Sequence, residues 1–145
     1  MPDLERTVTM NTTQAFTATT GRLLLASLFL FSGVGKLLAP AATKGYIATM
    51  GLPFVELAYL GALAVELGLA SLLLIGYRTR PVAIAMAGFT LVTAAVFHSQ
   101  FADQNQLIHF LKNIAITGGL LQVAAFGAGA LSLDGRRPKR LAHLA

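Results

Sequence analysis

Four stretches of this chain are too long and too apolar for an ordinary soluble domain, and they constrain everything else. Residues 21–38 read GRLLLASLFLFSGVGKLL, and residues 54–75 read FVELAYLGALAVELGLASLLLI. Residues 81–98 read PVAIAMAGFTLVTAAVFH, and residues 110–131 read FLKNIAITGGLLQVAAFGAGAL. A helix of roughly 20 apolar residues crosses a bilayer core about 30 Å thick. The runs exceed strand length, are rich in Leu and Ala, and lack the alternation of a membrane barrel. Each is therefore expected to be a transmembrane helix, with Pro81 at the first turn of the third. Only 12% of the residues are charged, against about 25% in soluble domains. That deficit is explained if lipid, not water, covers most of the outside.

The basic residues give the four helices a direction. Arg6 and Arg22 precede or open the first span, Arg78 and Arg80 lie between the second and third, and Arg136, Arg137, Lys139 and Arg140 follow the fourth. Only Lys36, Lys44 and Lys112 fall on the other side. The positive-inside rule then predicts both termini and the 77–80 turn in the cytoplasm, with loops 39–53 and 99–109 facing out. The expected fold is all-α: an integral membrane antiparallel four-helix bundle, N-in and C-in, in a bacterial plasma or inner membrane. The domain spans residues 21–134, between a flexible Thr-rich tail (1–20) and a short basic tail (135–145). A cleaved signal peptide is disfavoured, because Lys36 and Pro40 spoil the region where a cleavage site would fall. The +5 net charge sits at the edges of apolar runs, where anionic headgroups account for it, so no nucleic-acid partner is expected. The chain has no cysteine, which rules out disulfides and thiolate metal sites; no metal-ligand spacing or phosphate-binding loop was found.

Helices in lipid approach one another through small residues and polar contacts. Stripes for such packing run through Arg22, Ala26, Phe29, Gly33 and Lys36 in the first span, Ala62, Glu66 and Ala70 in the second, and Ala83, Ala87, Thr90, Ala94 and His98 in the third. The informative residues are those whose placement costs energy, since a charge at mid-bilayer costs about 2.5–3.5 kcal/mol on insertion scales. Glu66 lies about 13 Å along its helix from Leu57, near the midplane, and Lys36 lies about 21 Å along the first span, in the outer half. The two are expected to be within reach of a charge-assisted hydrogen bond. Near the outer rim stand Glu56, His98, Asp103, His109, Lys112 and Asn113. A candidate polar pocket follows: Glu66 as its floor, with Lys36, His98, Lys112 and Asn113 around it. Plainer roles stand beside it: snorkelling for the lysines, interfacial placement for the histidines, a register-fixing pair for Glu66 and cross-helix bonding for Asn113. Glu56 and Asp103 read as solvated loop charges.

These residues carry a resemblance. LFLFSGVGKL at 28–37, AVELGLASLLLIGYRTR at 64–80, FH at 97–98, FLKNIAITGGLL at 110–121 and GALSLD at 129–134 make the chain resemble the DoxX family of small four-span membrane proteins. The resemblance runs from Arg22 to Asp134 and implies the same four-helix fold. The family takes its name from a subunit of an archaeal complex that oxidises thiosulfate and passes electrons to quinone. The residues carried over are Lys36, Glu66, His98, Lys112 and Asn113. Thiol chemistry cannot be intrinsic to a chain without cysteine.

Three functional readings stay open from sequence. One is a scaffold, assembly or accessory subunit of a membrane complex, with a protein partner or a second copy beside it. Another is a quinone-binding subunit of an oxidoreductase system, with no intrinsic cofactor and the pocket donating to the ring carbonyls. The third is a small transporter, which four spans serve poorly unless they oligomerise. No catalytic constellation decides whether the chain is itself an enzyme.

Overall fold

A computed structural model describes residues 12–136. Arg6, Arg137, Lys139 and Arg140 of the charge pattern, with most of both expected tails, lie outside the described residues. The described residues form five helices: α1 (Thr12–Leu38), α2 (Pro40–Thr49), α3 (Val55–Ile75), α4 (Thr79–Phe97) and α5 (Gln104–Phe126). All but α2 are long and apolar enough to cross a membrane. Together they make the expected all-helical membrane bundle.

The boundaries differ from the sequence reading in instructive places. Residues 12–20, expected as flexible tail, are the first turns of α1. Their threonines fit a helix because the hydroxyls donate back to the chain, Thr17 to Thr13 O at 2.9 Å and Thr19 to Ala15 O at 2.8 Å. Ala15 is buried there. The fourth span begins earlier than expected because Asp103 is its N-cap, accepting from the N–H groups of Asn105 at 2.8 Å and Gln106 at 3.4 Å. A carboxylate there satisfies donors that have no partner inside the helix. The expected irregular connector at 39–53 holds α2, with Pro40 in its first turn; proline suits that position because it has no N–H to leave unpaired.

The core is small-residue packing of the kind lipid-embedded helices need. Ala26 and Phe29 of α1, Ala70 and Leu73 of α3, Ala83, Met86 and Ala87 of α4, and Leu120 of α5 form one buried cluster. The most extensive pairing is α4 against α5, while α1 packs on the second half of α3.

The arginine-bearing end is closed by the segment after α5. Leu133 N–H donates to Ile75 O at 3.2 Å and Asp134 N–H to Gly76 O at 2.9 Å. The Asp134 carboxylate in turn accepts from the N–H groups of Arg78 at 2.9 Å and Thr79 at 2.7 Å, capping α4. Gly76 makes this fit possible. It ends α3 at φ 70°, a conformation costly for L-residues, and a Cβ there would strike Arg22 Nη1 and Ser132 Cβ. Gly76→Ala is expected to destabilise the protein by more than about 1 kcal/mol, read as a lower thermal midpoint in detergent.

Candidate functional site

At the opposite end, α1 and α3 come together around a charged pair. Gly33 lets them approach: a Cβ there would lie 2.7 Å from Leu67 Cδ2 and 3.1 Å from Glu66 Cβ. Lys36, one turn beyond Gly33, thus lies beside Glu66. The Lys36 ammonium donates to Glu66 Oε1 at 2.9 Å and to Ser32 Oγ at 2.8 Å. Glu66 Oε2 completes the ion pair 2.8 Å from Nζ, without a well-aligned hydrogen bond of its own. Glu66 is 6% exposed. A lysine has three N–H donors, and three oxygen atoms lie within 2.9 Å of this one. The Tyr59 hydroxyl donates to Lys36 O at 3.2 Å, bracing this turn of α1 from α3.

Glu66 sits in a π-helical segment of α3, Ala64–Leu69. Such widened turns occur mostly at functional positions inside α-helices. No residue pattern announces one, and the sequence reading did not contain it.

Beside the pair lies a cavity of about 870 Å³. Lys36, Ser32 and Glu66 form its polar floor. Small, aliphatic and aromatic side chains of α3 and α4 make its walls, and Thr43, Tyr46 and Ile47 of α2 cover it. Of the five residues expected to form a pocket, Lys36, Glu66, His98 and Asn113 line it. Lys112 does not; it is exposed on α5. Adjacent residues on a helix diverge by about 100° (3.6 per turn), so Asn113 can face the cavity while Lys112 turns away. His98 Nδ1 pairs with Gln106 Oε1 at 2.8 Å, and its ring stacks on His109 at 5.1 Å between centroids. Glu56 pairs with Lys44 of α2 at 3.2 Å. Among the described residues, no three His, Asp or Glu side chains are grouped to hold a metal ion.

Sequence reasoning missed the cover. Tyr46 stacks on Phe97 of α4 at 5.7 Å between centroids, and Ile47 is buried. Pro40 followed by ten residues before Gly51 was the available signal for a helix there.

The DoxX family model matches residues 17–99. The chain belongs to the DoxX family. The match takes in Lys36, Glu66 and His98 and stops before α5, which carries Asn113. Among curated proteins, this DoxX protein is 42% identical over 113 residues to inner membrane protein YqjF of Escherichia coli K12, covering 78% of this chain and 85% of the relative. Inner membrane protein YphA of the same organism is 34% identical over 120 residues, covering 79% and 86%. No solved structure matches the chain significantly.

Proposed function

We propose that this DoxX protein is an accessory subunit of a bacterial inner-membrane redox system, holding a quinone-type molecule in its cavity for a partner oxidoreductase. The arginine-bearing end would face the cytoplasm, as the positive-inside rule requires. The observation that carries the reading is the cavity of about 870 Å³ against the Lys36–Glu66 pair. Small-molecule sites are typically about 300–1,000 Å³, largely apolar, with a few placed polar groups. A pair kept only to fix helix register would be packed in by side chains; this one borders open volume. The Lys36 ammonium can exchange its bond to Ser32 Oγ for one to a ring carbonyl oxygen, Asn113 and His98 offer further polar contacts, and the apolar walls suit the ring faces. Both curated relatives carry the name inner membrane protein, which supports the location. Electron transfer would fall to the partner, and the bound molecule would supply the redox chemistry.

The test is binding of decylubiquinone to protein in nanodiscs, followed by mass spectrometry of the extracted ligand. Wild type is expected to retain it. The Lys36→Met/Glu66→Met double variant is expected to remain folded and lose it. A folded double variant that binds the quinone as well as wild type would remove the site.

A further inference from the structure

The cavity has a side door. The first half of α3, Val55–Leu63, has no Cα within 8 Å of α4, whereas the second half of α3 packs against it. The two helices therefore diverge away from the Gly76 turn and leave a gap between them. Gly61 on α3 and Val92 on α4 both line the cavity and both are exposed, Val92 by 61%. They flank the gap that the diverging helices leave. Gly61 lies about 9 Å along α3 from its first residue, and Val92 about 7.5 Å from the end of α4. At that depth a spanning helix faces acyl chains rather than water. The other approach is covered: α2 lies over the end of the cavity, held by the Tyr46–Phe97 stack and the Lys44–Glu56 pair.

We infer that the cavity is loaded sideways from the bilayer, through the gap between α3 and α4, and takes amphiphiles whose polar head reaches Lys36 while the tail stays among the lipid chains. This deepens the binding reading above and rests on it only for the quinone headgroup. Ala58, Gly61 and Ala62 form the α3 side of the slot, and so many small side chains leave room for a tail. The floor sets what the head must offer: an acceptor for an ammonium N–H, such as a carbonyl oxygen. A polar ligand without a tail would gain nothing from the slot and would have to pass α2.

The chain has no tryptophan, so Phe89→Trp, on the cavity wall, supplies a single fluorescent reporter. Gly61→Leu is expected to fold, because a Cβ at Gly61 meets nothing within 4 Å. The same holds for Gly118→Leu on α5, away from the cavity, which serves as control. In vesicles containing bromine-labelled acyl chains, the reporter is expected to be quenched by lipid and little affected by aqueous iodide. Gly61→Leu should remove most of the lipid quenching, and Gly118→Leu none. Binding of decylubiquinone should fall about tenfold in Gly61→Leu, equivalent to about 1.4 kcal/mol, and the tail-less parent quinone should bind more weakly to wild type. If wild type binds no quinone but the quenching pattern holds, the headgroup assignment falls and the lipid doorway stands. Iodide quenching in place of lipid quenching, or lipid quenching unchanged in Gly61→Leu, overturns the doorway.

Discussion

Replacing Lys36 by methionine is expected to lower the unfolding free energy by about 3–5 kcal/mol, because it leaves Glu66 charged, buried and unmatched. Glu66 is 6% exposed, and its carboxylate contacts the Lys36 ammonium through both oxygens, at 2.9 and 2.8 Å. Removing the ammonium removes that compensation while the desolvation of the carboxylate stays. The double replacement Lys36→Met/Glu66→Met deletes the cost along with the attraction, and is expected to lie within about 1 kcal/mol of wild type. Unfolding by SDS titration in mixed micelles measures all four corners of the cycle. The cycle also separates two roles that the single variants confuse. A pair kept only for stability would leave the double variant indistinguishable from wild type, quinone binding included. A pair kept for a ligand gives a stable double variant that no longer binds. Equal stability of Lys36→Met and wild type would mean that water or lipid headgroups reach Glu66.

The charged pair was legible in the sequence because its cost was legible: two opposite charges inside apolar runs, at comparable depth, have few ways to persist except together. The spans were legible for the same reason, since hydropathy over about 20 residues is a strong signal. Direction around a helix was harder to read. His109, Lys112 and Asn113 share a face by spacing, yet only Asn113 reaches the cavity, because a face about 100° wide does not say which of its edges meets a neighbour. α2 was hidden because Pro40, Gly51 and Pro53 read equally well as loop punctuation and as the start and stop of a short helix. The π-helical turn at Glu66 was out of reach, because AVELGL suits an ordinary α-helix as well. Asp103 and Asp134, read as loop charge and closing motif, cap α5 and α4. Caps are sequence-readable only once the helix boundary is known, and boundaries were what hydropathy gave least well.

Arg22 shows the same limit most sharply, and it carries the second large expectation: Arg22→Met should cost about 3 kcal/mol. The charge pattern counts Arg22 among the headgroup-facing cations while the packing stripe puts it on the buried face, and it is 2% exposed. Its guanidinium donates to Leu73 O at 3.3 Å and to Leu131 O at 2.9 Å, tying α1 to the end of α3 and to the segment after α5. Asp134 lies close enough to attract it. Hydrogen bonds from a charged donor contribute about 1.5–3 kcal/mol each, and the longer one here weighs less. Methionine fills similar volume but leaves Leu131 O without its donor and removes the attraction to Asp134. Residues 127–136 should then exchange their amide protons faster, while decylubiquinone binding stays near wild type, since Lys36 lies about 21 Å farther along α1. Arg22→Lys should recover only part of the stability, because an ammonium has no planar fork with which to span two carbonyl groups. Wild-type exchange rates in Arg22→Met would mean that Asp134, through its cap on α4, holds the closing segment by itself.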